Sequence, residues 1–332
     1  MTPHLPGMDS PVEKALLSTG VPSGAQGSGF HERYHGLDLG GEGQDLTGHR
    51  AVSRTRERAF SAGLLDRMMT LVLNEIHFED RFENSFMIAA ADRRITHDDG
   101  RFQNSRKVFS LPGIHGAVSF FGLAEVWPEG RREDMSPWLG DFVETHADVP
   151  DLKTFSESLR DALHEVIPAS SLVLTHSGLQ ICGYTQEGIP DFWFLTNIGG
   201  WKQPFVYYNF SDRYGVPTSH FLGRDAKGYG WNGTDRAEVK AGGGPHIYRN
   251  GDFKQHSVSW GAMDLPLLLL EKNEVIRKPD TAEEYARYFK AKFEFMAAMS
   301  EDLYLENGEP HPSYIGRPID VILVTPDKEM TV

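Results

Sequence analysis

Apolar positions in this chain are organised from Met68 onward and scattered before it. MMTLVLNEIHF (68–78) and SFMIAAADRRIT (85–96) are two apolar runs parted by the polar EDRFEN, a pattern that predicts two strands joined as a hairpin. KVFSLPG (107–113) and GAVSFFGLAEV (116–126) predict the next pair. AVSFFGLA is apolar on both faces, so its sheet should be covered on each side. In LKTFSESLRDALHEVI (152–167), Phe155, Leu159, Ala162, Leu163 and Val166 fall on one stripe and predict an amphipathic helix. SSLVLTH (170–176), LQICGYT (179–185) and DFWFLTNIG (191–199) then read as three short strands.

A second helix is expected over Asp280–Met299, with Asp280 and Glu283 as a capping box and Tyr285, Phe289, Phe293 and Met296 on one face. RPIDVILVTPD (317–327) predicts a buried closing strand. Two segments break the pattern. Residues 1–65 form a Gly-rich arm, with GVPSGAQGSG and GLDLGGEGQDLTG and few periodic apolar positions. Residues 202–260 read as an insertion carrying turn signals (GRDAKGYGWNGTD, KAGGGPH) and, with Trp201 at its edge, the aromatics Tyr207, Tyr208, Tyr214, Tyr229 and Trp231, a binding surface or an aromatic mini-core. The remainder, 66–332, is expected to be one α+β domain.

Composition narrows the function classes. A formal net charge of -14 disfavours a general nucleic-acid surface, which needs concentrated Lys and Arg. The single cysteine, Cys182, excludes an intrachain disulfide, which suits the cytoplasm, and its place in LQICGYT reads as a small buried hydrophobe. The most apolar stretch, LPLLLLEKNEV (265–275), is too short for a membrane span, so no membrane association is expected, and no secretory signal is read at the N-terminus. HERYH (His31–His35) matches the H-E-x-x-H zinc-hydrolase pattern, but glycine-rich flanks leave little more than one helical turn to bring His31 and His35 together. Zinc chemistry there is the remote alternative, and neither a metal nor a cofactor is expected.

SFMIAAADRRIT followed by RKVFSLPG and AVSFFGLAEV resembles the beta-type subunits of proteasomes and the peptidase of the bacterial ATP-dependent double-ring protease, in the N-terminal-nucleophile hydrolase superfamily. LQICGYTQEGIPDFWFLTNIGG and SYIGRPIDVILVTPD are similar to later passages of the same family, in the same order. The resemblance spans about Met68 to Val332, interrupted by the insertion. It implies a four-layer αββα sandwich and homo-oligomeric assembly. It also implies a peptide or amide substrate, attacked by a threonine whose freed α-amine activates the hydroxyl.

Carried over by position, Thr70 is the nearest match to that nucleophile. Lys107 matches the electrostatic partner, Asp92 its orienter, and Gly122 an oxyanion-loop N–H. Two features depart from the family pattern: Met69 stands where self-processing relatives have Gly, and the Thr70–Asp92 spacing is longer. Without cleavage after Met69, Thr70 has an amide nitrogen and no base. The rival reading is therefore a noncatalytic scaffold, in which Lys107 and Asp92 are only a salt bridge, Thr70 a strand-start hydroxyl and Gly122 a site of close strand approach.

Overall fold

The computed structural model describes residues 70–77, 85–96, 102–197, 210–219, 246–251, 263–306, 308–310 and 313–332. By contacts the chain divides into Met1–Asp38 and Leu39–Val332, and every described residue belongs to the second unit. The expected zinc motif at His31–His35 and the N-terminal arm lie outside the described residues, as do Trp201, Tyr207, Tyr208, Tyr229 and Trp231.

The ten main strands are β1 (Leu71–His77), β2 (Phe86–Asp92), β3 (Val108–Leu111), β4 (Gly116–Phe121), β5 (Gly178–Tyr184), β6 (Pro190–Thr196), β7 (Thr218–Ser219), β8 (His246–Gly251), β9 (Ile319–Thr325) and β10 (Lys328–Thr331). Among the described residues four helices have eight or more residues: α1 (Met135–Thr145), α2 (Leu152–Val166), α3 (Asp264–Lys272) and α4 (Ala282–Leu303). One sheet runs β8-β1-β2-β9-β10 and the other β7-β6-β5-β4-β3. All neighbouring strands pair antiparallel.

Side-chain alternation places each face. On β1, Leu71 and Leu73 join Ile88 and Ala90 of β2 in a core against Ala286, Phe289, Phe293 and Met296 of α4. The other β1 face, Val72 and Ile76, meets Val108, Ala117, Phe121, Cys182 and Phe192 of the second sheet in a core between the two sheets. The outer face of the second sheet, with Val118, Phe120, Leu179 and Ile181, packs on Leu139 and Phe142 of α1 and Phe155, Leu159 and Leu163 of α2. Because both faces are covered, β2 and β4 are buried at every position, as their near-continuous apolar runs require.

Two local expectations need correction. SSLVLTH is not a strand: Ala169–Leu172 makes a helical turn behind Pro168, whose carbonyl accepts from Ser171 N at 2.9 Å. Apolar content alone cannot tell a short strand from a helical turn. The α4 cap lies one residue beyond the expected box: Thr281 Oγ1 accepts from Glu284 N at 3.2 Å, and Asp280 N donates back to Glu284 Oε2 at 2.9 Å. The described parts of the 202–260 stretch supply sheet edges, since β7 pairs with β6, β8 pairs with β1, and Tyr214 is buried in the core against α2.

Candidate functional site

β1 and β2 meet in a register that sets Val72 opposite Ala91. Asp92 follows as the last residue of β2, so its carboxylate arrives beside Thr70 and Leu71 at the start of β1. Thr70 Oγ1 donates to Asp92 Oδ1 at 2.8 Å and Leu71 N to the same oxygen at 2.9 Å. Oδ2 accepts from Arg94 N at 3.0 Å and Gly316 N at 3.3 Å. Lys107 comes from the opposite sheet, immediately before β3, where its carbonyl accepts from Phe120 N at 3.1 Å. Its ammonium donates to Asp92 Oδ1 at 3.0 Å, to Thr70 Oγ1 and to the Arg94 carbonyl.

All three side chains lie out of water: Thr70 is 9%, Lys107 2% and Asp92 0% exposed. Withdrawing one ion from water costs on the order of several kcal/mol unless a partner and further hydrogen bonds replace its hydration. Lys107 has both. Burial nevertheless pushes its pKa below the ordinary lysine value, with Asp92 pulling the other way and Arg94 adding to the depression. Asp92 serves only as an acceptor here, with five donors on its two oxygens. The result is a hydroxyl held between a cation and a carboxylate. A cation beside Thr70 Oγ1 lowers the free energy of the alkoxide that nucleophilic attack requires.

Gly122 is not among those hydrogen-bonded partners. It follows β4 with φ +89, a conformation that only glycine adopts without strain. A Cβ there would sit 2.2 Å from the His176 carbonyl oxygen and 2.6 Å from Ser177 Cα. His176 is wedged between Phe121 and Phe210, with ring centroids 5.0 and 5.9 Å away. Burial pulls its pKa down to about 4. Ser177 is pinned in turn, its N donating to Asn197 Oδ1 and its hydroxyl 3.0 Å from Tyr214 Oη.

Sequence reading missed the supporting groups. Arg94 stands two residues past Asp92, and its guanidinium reaches the Ser313 carbonyl at 2.8 Å and Glu301 at 3.2 Å. Gly316 packs so closely that a Cβ would come 2.3 Å from Arg94 Nε. It is 224 positions from Asp92, and no local pattern announces that contact. A buried polar seam between the sheets was missed too, although polar residues inside apolar runs are a signal that could have found it: Asn74 Nδ2 donates to Gln180 Oε1 and, at 3.4 Å, to Ser119 Oγ.

Among the described residues no group of three or more His, Cys, Asp or Glu could hold a metal, and no helix is long and apolar enough to cross a membrane. Cys182 is fully buried between the sheets, and desolvation pushes its thiol pKa up to about 12. No protein-family model and no curated protein matches the chain. Among solved structures the chain is similar to "Anbu (Gly-1) mutant from Hyphomicrobium sp. strain MC1", at 10% identity and a TM-score of 0.38, over 79% of this chain and 87% of that one. The likeness is distant, and a score of that size carries no inference about chemistry.

Proposed function

We propose that this protein is an amide or peptide hydrolase of the N-terminal-nucleophile type, with an αββα core, that works from Thr70 once the bond to Met69 is opened. The observation that carries the reading is the placement of Lys107. A lysine buried to 2% exposure is directed at a threonine hydroxyl and a buried aspartate, where an apolar side chain would stabilise the fold at lower cost.

In the proposed reaction the free α-amine of Thr70, with a reference pKa of about 8, takes the proton from Oγ1 while Lys107 stabilises the developing alkoxide. Oγ1 attacks the substrate carbonyl, and the oxyanion is held by backbone N–H groups, among which Gly122 N is the candidate. Collapse expels the amine, which leaves with the proton from the Thr70 amine. Water then hydrolyses the Oγ1 ester and regenerates the site. Asp92 keeps Lys107 and the Thr70 hydroxyl in register and transfers no proton itself. The substrate class is a peptide or simple amide, and assembly into a cytoplasmic homo-oligomer is part of the same proposal.

Exposure of the amine has two routes. One is proteolytic removal of residues 1–69. The other is translation starting at Met69, followed by removal of that methionine, which cells perform when the next residue is as small as threonine. A second reading has a specific observation behind it: in the continuous chain Thr70 N is an amide, and the same three side chains then form a buried polar clasp between the sheets of a noncatalytic scaffold. Intact-mass measurement of protein from its native source separates the two. A chain beginning at Thr70 supports the enzyme, and a full-length chain under all growth conditions removes the mechanism.

A further inference from the structure

On the outer layer, remote in sequence from Thr70, α1 and α2 leave a groove of about 490 Å³ between them. Its floor is apolar and aromatic: Phe142, Ala162, Val166 and the half-buried Trp138. Trp138 stacks on Phe142 with centroids 5.7 Å apart, and Phe142 stacks on His146 at 3.9 Å. Its rim carries Asp141, Asp161 and Glu165, all exposed, and no Lys or Arg stands among the described lining residues. Asp161 is paired with Arg160 at 2.6 Å and keeps 64% of its side chain in water.

The two helices and the connection between them are acidic as a whole. Residues 135–166 hold seven carboxylates against Lys153 and Arg160, a formal net of -5 on 32 residues, where the whole chain carries -14 on 332. About a third of the protein's net charge thus sits on about a tenth of its length. A negative potential around an aromatic face selects cations, because guanidinium or ammonium groups are attracted to the electron-rich face of a tryptophan ring. An anionic surface, whether nucleic acid or lipid headgroup, would be repelled.

We propose that the α1–α2 groove docks a basic peptide segment of a partner protein, with an arginine or lysine side chain over Trp138 and its charge against Asp141 and Glu165. The occupant is an extended segment because one strand of peptide can set a cationic side chain over Trp138 and an apolar one against the floor at the same time. An apolar residue beside the cation would cover Val166 and Ala162. The proposal is independent of the chemistry at Thr70.

The test uses the full chain and a fluorescently labelled hexapeptide of alternating arginine and leucine, with a citrulline-for-arginine peptide as control, read by anisotropy. Saturable binding that weakens as salt is raised is expected for the arginine peptide and not for the citrulline one. Asp141→Asn, Asp161→Asn and Glu165→Gln together should weaken binding at least tenfold, and Trp138→Leu alone about two- to fivefold. Neutralising three exposed carboxylates elsewhere (Asp302→Asn, Glu309→Gln, Glu187→Gln) should change it by less than twofold. Absence of binding, equal binding of the citrulline peptide, or an equal loss in the distant triple variant would each overturn the proposal.

Discussion

Replacing Lys107 with methionine removes the ammonium and keeps most of the side-chain volume, which isolates the electrostatics of the clasp. Asp92, fully buried, then loses one of five donors and keeps Thr70 Oγ1 and the backbone N–H groups of Leu71, Arg94 and Gly316. Removing one partner from a buried ion pair costs about 3–5 kcal/mol. The four remaining donors hold the loss near the lower end, about 3 kcal/mol, or a fall in Tm of roughly 6–10 °C for a domain of this size. Asp92→Asn is the harsher change. It removes the carboxylate that favours the charged form of Lys107 at 2% exposure and turns an amide NH2 toward groups that are themselves donors, so a loss of about 4–5 kcal/mol is expected.

The double variant discards both charges and should lose less than the two single losses added together, with a coupling of about 2–3 kcal/mol. Urea unfolding of the four proteins at pH 7 measures all three quantities, provided the m-values agree. A Lys107→Met loss under about 1 kcal/mol, with strict additivity in the double variant, would refute a buried Thr70–Asp92–Lys107 clasp.

Three further outcomes follow from the same geometry. Gly122→Ala places a Cβ against the fixed His176 carbonyl in a left-handed conformation, and a loss of at least about 2 kcal/mol is expected by thermal or urea unfolding. His176 titrates near 6.5 when unfolded and about 4 when folded, so between those values the unfolded chain binds the extra proton and stability drops as the pH falls. The drop should approach about 3 kcal/mol by pH 4, and His176→Phe should flatten that part of the profile. Cys182, with its thiol pKa pushed up to about 12, should resist iodoacetamide at pH 8 in the native protein and label fully in urea; rapid native labelling would contradict its burial between the sheets.

Much of the framework was legible because alternation and period are local. SFMIAAADRRIT and RPIDVILVTPD declare buried central strands, and LKTFSESLRDALHEVI declares one apolar stripe. What failed was equally local in cause: SSLVLTH has β-branched and apolar residues, yet its backbone follows Pro168 into a helical turn. LPLLLLEK could be sized against a bilayer but not assigned, and it forms α3 with Leu265, Leu268 and Leu269 half or more exposed. Thr70, Asp92 and Lys107 were singled out by motif position, which says nothing of distance. That they converge depends on the β1–β2 register and on how two sheets face each other, both long-range properties. The Gly316 and Arg94 contacts behind them needed coordinates for the same reason.

The central claim is that Thr70 becomes a nucleophile when its own amine is freed. A protease site inserted between Met69 and Thr70 of the full chain, leaving Thr70 as the first residue after the cut, allows that amine to be released on demand. Hydrolysis of a panel of fluorogenic peptide amides is then followed before and after cleavage. Activity should appear only after the cut, and the Thr70→Ala protein, cut in the same way, should stay at least about a hundredfold lower. Turnover before the cut, turnover retained in cut Thr70→Ala, or no turnover of any amide after complete cutting would contradict it.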